Sequence, residues 1–148
     1  METLKAEERE RLQRLLAEMN DGQAVLELLR QQLSALAGSL SELNMTVGAL
    51  KAIKDLQPST DILVPLGSDT FIPAKLSPDG RVLVGLGADV MVERTPEEAI
   101  KFLEARVAEV EKAIEQTRVE LGKVEERIEA IRPEAERLLV KAKEATGK

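Results

Sequence analysis

Residues 62–94 read ILVPLGSDTFIPAKLSPDGRVLVGLGADVMVER, and this short stretch decides the fold. It is rich in β-branched residues, and its apolar runs are separated by glycine, serine, proline and aspartate. Such a pattern predicts four strands in two consecutive β-hairpins. Pro65 and Pro73 cannot donate a hydrogen bond to a strand ladder, so we expect each at an edge, a bulge or a strand end.

The predicted strands are apolar on both faces. Ile62 and Val64 point to one side while Leu63 points to the other. Four short strands cannot bury this much apolar surface alone, and their open edges invite another chain. We therefore predict that the block 58–94 oligomerises into an intersubunit β-barrel. The residues predicted to form this interface are Ile62, Val64, Leu66, Phe71, Ile72, Val82, Val84, Leu86, Val90 and Val92.

Both flanks of the hairpin block carry a helical repeat. Apolar residues recur at steps of three and four from Leu12 to Leu50 and again from Ile100 to Ala142. A 3.5-residue repeat of this length predicts two helices that pack on each other as a coiled coil. The fold class is therefore α+β, with domains at 1–57 for the first helix, 58–94 for the hairpins and 95–148 for the second helix.

Local signals place the helix ends. We expect the first helix from about Thr3 to Leu56, where Pro58 stops it, and the second helix to run to about Ala145. The second helix begins at Thr95-Pro96-Glu97-Glu98, which combines a capping residue, a first-turn proline and the glutamate of a capping box.

Helices that leave and re-enter one compact block must pair antiparallel, so residue i lies near residue 150 minus i and both chain ends meet at a distal tip. In this register Gly22 faces Ile128 and Pro133 faces about Ala17. Glycine and proline both weaken a helix. We therefore predict a bend or loosened seam there, roughly 25 to 30 Å from the tip. A merely tolerated Gly22 is the alternative.

Beyond that level, apolar residues are more numerous than a two-helix seam can bury, because Leu16, Leu139 and Val140 lie off the repeat. Exposed apolar groups at a tip can hold another apolar surface. Scattered surface leucines are the alternative explanation. The candidate tip residues are Leu4, Leu12, Leu15, Leu16, Met19, Leu138, Leu139 and Val140.

Composition excludes most other functions. The 148 residues contain no histidine and no cysteine, which removes the usual zinc ligands, thiol nucleophiles and histidine-based triads. No glycine-rich phosphate loop is present, so we expect neither enzyme activity nor a cofactor or metal. A net charge of −6 with interspersed signs, and only two aromatic residues, argue against nucleic acid. No stretch is apolar enough to span a membrane, and a charged N-terminus favours a cytoplasmic location.

The hairpin block with its flanking helices resembles the α class of archaeal prefoldin subunits. The resemblance is strongest from Ile62 to Arg106 and includes Val64-Pro65-Leu66-Gly67, Phe71, the Val-Gly rhythm from Val84 to Gly87, and Val92-Glu93-Arg94. Two hairpins rather than one indicate the α class and not the β class. The turn at Ala88-Asp89-Val90 departs from the pattern, where a small residue, a glycine and an aromatic residue are expected.

The resemblance implies a chaperone subunit that works without ATP. It implies an assembly of two α and four β subunits (α2β4), so that the partners are β subunits and a second α subunit, with a double β-barrel body and six coiled coils. It also implies capture of non-native polypeptide at the tips and transfer to a group II chaperonin. The alternatives are a tethering coiled coil that binds one specific partner, a docking subunit of an enzyme, and a homo-oligomer or filament formed through the sheet edges.

Overall fold

A computed structural model of the chain describes residues 4–146. The elements follow in the order α1 (Ala6–Lys54), β1 (Asp61–Gly67), β2 (Thr70–Lys75), β3 (Val82–Gly87), β4 (Val90–Arg94) and α2 (Pro96–Thr146). The predicted α+β architecture of two long helices joined by two β-hairpins is confirmed. The chain divides into two compact units. The terminal unit comprises the chain up to Ala37 together with the chain from Lys112 onward, and the hairpin unit comprises Gly38–Glu111.

Side-chain caps begin both helices. The backbone N–H of Lys5 donates to Oε1 of Glu8 at 3.1 Å, at the start of α1. At the start of α2, the backbone N–H of Glu98 donates to Oγ1 of Thr95 at 3.2 Å. Because these bonds satisfy N–H groups that have no partner within the helix, they fix where each helix begins. The predicted capping residue and first-turn proline of α2 are therefore in place.

Each hairpin is closed by a tight turn with the same backbone. Ser68 and Asp69 have φ values of 48° and 58°, and Ala88 and Asp89 have 50° and 61°. Two consecutive positive φ values give the type I′ turn, whose twist matches that of the strands it joins. The departure at Ala88 therefore does not prevent the turn, although a non-glycine residue there adopts an unfavourable conformation.

The two hairpins form separate sheets of two strands each. Val64 pairs with Ile72 in the first sheet, and Val84 pairs with Val92 in the second. The ladder of the first sheet is irregular between Pro65 and Gly67, next to one of the prolines for which we expect a bulge or an edge. Within residues 4–146 neither sheet has a third strand, so both keep open edges.

The second hairpin packs on the helices of its own chain. Val84 is buried against Val47 and Leu50 of α1 and against Ile100 and Leu103 of α2. Two neighbours on the same face of the hairpin, Val82 and Val92, are partly buried in this cluster. The opposite face stays exposed, including Leu83 and Met91. The helices therefore cover the apolar face of this hairpin that contains Val82, Val84 and Val92.

In the terminal unit the helices pack antiparallel in the predicted register. A Cβ atom on Gly22 would lie 2.9 Å from Cδ1 of Ile128, the residue expected to face it. Nearer the chain ends lies a buried group that we call the tip cluster, which comprises Leu12, Leu15, Ile131, Ala135 and Leu138.

The predicted loosening of the seam is wrong, while the bend predicted as the other possibility at this level stays a prediction. Both helices stay helical through Gly22 and Pro133, and beyond them Leu15 and Leu138 are only 1% exposed. Pro133 itself is exposed, so its missing N–H falls on the outer side of α2 and not in the seam. Gly22 has no side chain, which leaves room for the side chain of Ile128 between the helices. Its role at this level is therefore in packing.

Candidate functional site

The predicted tip residues divide into three groups by burial. Leu12, Leu15 and Leu138 are buried inside the tip cluster. Leu4, Met19 and Leu139 are partly buried and pack against its edge. Leu16 and Val140 are exposed, with 36% and 55% of their surface accessible. Leu16 and Val140 are therefore the only predicted tip residues that are exposed, while Leu4, Met19 and Leu139 each expose part of their surface at the edge of the tip cluster.

Three interhelical ion pairs tie the helices together beside the tip cluster. Lys141 Nζ donates to the Glu8 carboxylate at 3.0 Å, and Arg11 donates two hydrogen bonds of 3.1 Å to Glu134. Arg127 donates to Glu18. On α2 the three partners are spaced by seven residues, so they lie along one stripe of the helix.

The ion pairs lower the pKa of their carboxyl groups. For Glu8 the main cause is the hydrogen bond from Lys141, for Glu18 the hydrogen bond from Arg127, and for Glu134 the hydrogen bond from Arg11. Because these side chains are solvent-accessible, each pair stabilises the fold only modestly. The pairs bridge α1 and α2, so they oppose separation of the helices and keep the buried leucines covered.

The apolar side chains of the tip therefore differ in how accessible they are. Leu16 and Val140 are available in the closed structure. Leu15 and Leu138 become available only when the helices part, which breaks the ion pairs and exposes a packed cluster. Burial of an aliphatic side chain stabilises the fold by about 1.5–3 kcal/mol. Exposing Leu15 and Leu138 therefore requires much more free energy than contact with Leu16 and Val140.

The predicted interface residues of the hairpins also divide. Val84 is buried by the helices of its own chain, and Val82 and Val92 pack there with it. Ile62 is partly buried. The other predicted interface residues are exposed in the single chain, and they are Val64, Leu66, Phe71, Ile72, Leu86 and Val90.

Three exposed hairpin residues were missing from the predicted interface, namely Leu63, Leu83 and Met91. The signal that marks them is strand alternation, because each lies next to a predicted interface residue and faces the other side. The outer face of the second hairpin thus carries two exposed apolar side chains, Leu83 and Met91. Both hairpins therefore have large apolar side chains exposed to solvent in the single chain.

Within the described part of the chain, no group of acidic residues is arranged to hold a metal ion. Neither of the helices has an apolar stretch long enough to cross a bilayer.

Antiparallel paired helices joined by two β-hairpins with exposed apolar side chains define a class of protein, the coiled-coil protein with paired hairpins between its two helices. Comparison with known proteins specifies the family. The profile described as prefoldin subunit matches residues 22–141. The chain belongs to the prefoldin family, which is a family of chaperones and not of enzymes, so the predicted absence of enzymatic activity is confirmed.

Similar proteins named prefoldin subunit alpha come from several archaea. The one from Methanopyrus kandleri is 39% identical over 102 residues, a match that covers 69% of this chain and 65% of that protein. The one from Methanosphaera stadtmanae is 36% identical over 133 residues and covers 90% and 95%. The one from Nitrosopumilus maritimus is 28% identical over 130 residues and covers 88% and 89%. These relatives confirm the predicted likeness to the archaeal α class.

A solved structure has the same fold. The cryo-EM structure of filamentous PFD from Methanocaldococcus jannaschii superposes with a TM-score of 0.69 at 24% identity, and covers 80% of this chain and 98% of that chain. The likeness confirms the architecture of two helices and two hairpins.

Proposed function

We propose that this prefoldin subunit captures non-native polypeptide at its tip, without ATP, through Leu16 and Val140 and the partly buried Leu4, Met19 and Leu139. The observation that carries the proposal is apolar surface exposed beside a cluster already filled by its own side chains. Side chains left over after the seam has packed can serve a binding surface at no cost to the fold. Leucine and methionine side chains adapt to many partners, which suits capture of unrelated polypeptides.

We further propose that the hairpins join this chain to a second α subunit and to β subunits in an α2β4 assembly. In this proposal, segments 1–57 and 95–148 form the coiled coil that carries the tip, and segment 58–94 forms the body through which the subunits assemble. Exposed apolar strands on both hairpins, and open sheet edges, support this role. Several tips around one cavity add avidity, so each contact can be weak and release quickly. Delivery to a group II chaperonin in the cytoplasm completes the proposal.

The decisive experiment separates surface contact from stability. Leu16→Ser with Val140→Ser removes exposed tip surface and leaves the tip cluster filled. The matched control is Leu28→Ser with Val119→Ser, which removes two exposed apolar side chains of the same unit away from the tip. Serine at Leu15 or Leu138 would not serve, because it would empty the cluster and destabilise the helices.

Each variant is assembled with β subunits, and suppression of aggregation is measured for two unrelated, chemically unfolded proteins without nucleotide. We expect the tip variant to lose most of the suppression and the control to keep it. Equal suppression by the two variants would remove the tip from the proposal. Protection of one of the two unfolded proteins alone would indicate a selective tether and not a general chaperone.

Assembly has its own test. Leu83→Ser with Met91→Ser changes the outer face of the second hairpin, and Met45→Ser changes an exposed residue of α1 in the same unit. Native mass measurement of each variant mixed with β subunits should show loss of the hexamer for the hairpin variant only. A hexamer of normal mass from the hairpin variant would exclude this face from the interface.

A further inference from the structure

A groove runs along the flank of the seam in the terminal unit. Its apolar lining includes Val25 of α1 and Val124, Ile128 and Ile131 of α2, and Gly22 contributes no side chain to it. The groove has a volume of ≈ 320 Å³. Val25 is 42% exposed, so one wall already presents apolar surface to solvent.

The two rims of this groove carry opposite charges. Glu18 and Asp21 stand on the α1 side, and Lys123 and Arg127 stand on the α2 side. Glu18 and Arg127 pair with each other across the seam. Asp21 and Lys123 take part in no ion pair among residues 4–146, so a carboxylate and an ammonium group remain available on opposite rims.

The groove borders the buried tip cluster. Ile131 lines the groove and belongs to the tip cluster, against which Met19 packs from the edge. Leu16 lies about 200° around α1 from Glu18, so the groove and the exposed tip residue Leu16 are on different sides of the helix pair. The groove is therefore a surface separate from that residue.

We propose that the groove is a second binding site for non-native polypeptide. It takes a short extended segment whose large apolar residue covers Val25, with a basic residue on one side facing Asp21 and an acidic residue on the other side facing Lys123. This inference rests on the proposed capture of non-native polypeptide. It adds a preference, because the charged rims favour an apolar residue between opposite charges over an uncharged apolar segment.

The test uses two fluorescent ten-residue peptides with the same apolar centre. In the first peptide the centre is flanked by lysine and glutamate, and in the second by serine on both sides. Binding to the assembled complex is followed by fluorescence anisotropy at low salt. We expect the charged peptide to bind about fivefold more tightly, the scale of one exposed ion pair.

Val25→Asp should weaken binding of both peptides by about tenfold, because it places a charge on the apolar wall. The matched control is Leu28→Asp, three residues along α1, which is 65% exposed and does not line the groove. Val25→Ser serves as a milder change at the same position. Helix content and thermal unfolding confirm that each variant is folded.

Asp21→Asn with Lys123→Gln should abolish the advantage of the charged peptide and leave the uncharged peptide unaffected. Equal binding by the Val25 and Leu28 variants would overturn the proposal, and so would an equal loss for both peptides on neutralising the rims. Self-association that depends on Val25 in the absence of peptide would assign the groove to a second copy of the chain. If the Leu16 and Val140 variant loses capture while Val25→Asp keeps it, the groove proposal fails and the proposed function stands.

Discussion

Gly22 and Ile128 approach so closely that a Cβ atom on Gly22 would lie 2.9 Å from Cδ1 and 3.0 Å from Cγ1 of Ile128. Real Cβ atoms essentially never show a contact of 2.9 Å. The absence of a side chain at this position therefore lets the Ile128 side chain, which is only 3% exposed, fill the space between the helices. The cost of glycine in a helix is therefore partly offset at Gly22 by the closer packing of Ile128.

The first prediction concerns this contact. Gly22→Val should lower the free energy of unfolding by about 1–3 kcal/mol, because the added branches overpack the seam against Ile128. Chemical denaturation of the purified chain measures the change. A neutral or stabilising effect would mean that the seam relaxes freely at this level.

Gly38 supplies the matched control, because it lies in the same helix and a Cβ atom there would have nothing within 4 Å. Gly38→Ala should raise stability by up to about 1 kcal/mol through helix propensity alone. Gly22→Ala should gain less, and combining it with Ile128→Val should recover part of the difference. Additive effects of Gly22→Ala and Ile128→Val in a double-mutant cycle would contradict the contact.

A second prediction separates the tip cluster from the surface around it. Leu15→Ala removes a side chain that is fully packed and should cost about 2–5 kcal/mol. Leu28→Ala removes an exposed side chain and should change stability by no more than about 0.5 kcal/mol. Thermal unfolding followed by circular dichroism checks both. Similar melting temperatures for the two variants would indicate a fluid tip.

The third prediction is acid sensitivity of the terminal unit. Hydrogen bonds from Lys141, Arg127 and Arg11 hold the pKa values of Glu8, Glu18 and Glu134 below the ordinary value of 4.5. A carboxyl group whose pKa is lower in the folded state stabilises the fold above its unfolded pKa, and that stabilisation is lost as pH falls through the folded value. Melting temperature should therefore drop below about pH 4.5.

Glu134→Gln isolates one of these pairs. It should melt below the natural chain at neutral pH, because Arg11 loses its charged partner. The two melting curves should converge at acidic pH, where the natural Glu134 is also uncharged. A gap that persists or widens on acidification would show that the ion pair contributes nothing and that the glutamine disturbs packing.

A fourth prediction addresses the turn of the second hairpin. Ala88 adopts a φ of 50°, a conformation that costs a residue with a side chain roughly 1 kcal/mol or more relative to glycine. Ala88→Gly should therefore raise the free energy of unfolding by up to about 1 kcal/mol, and Ala88→Val should lower it, because a β-branched residue tolerates positive φ least. Opposite signs in denaturant melts support the turn geometry, and equal signs contradict it.

Much of the architecture followed from the sequence. The change from a heptad repeat to short β-branched runs located the hairpins, the Thr95 and Glu98 signature located the start of α2, and the antiparallel register correctly placed Gly22 against Ile128. These features are local, or they follow from the connectivity of the chain. A sequence pattern therefore determines them without knowledge of packing.

The candidate sites were harder to predict, because burial depends on what the opposite surface supplies. Leu15 and Leu16 are neighbours of the same type, yet one is fully packed and the other is exposed. The predicted weakening at Gly22 and Pro133 applies to isolated helices. In the helix pair, Ile128 of α2 fills the space beside Gly22, and Pro133 lies on the solvent-exposed side of α2. Strand alternation separated the two faces of the second hairpin but did not reveal which face the helices would cover.

The two hairpins have the same type of turn, but the helices of the chain bury apolar side chains of the second hairpin only. A single copy of the chain thus displays exposed apolar side chains on the strands of both hairpins. Open sheet edges with exposed apolar side chains favour association with other strands, so an isolated copy is expected to aggregate more readily than an assembled one. A member of a chaperone family therefore itself has an apolar surface that the single chain leaves exposed.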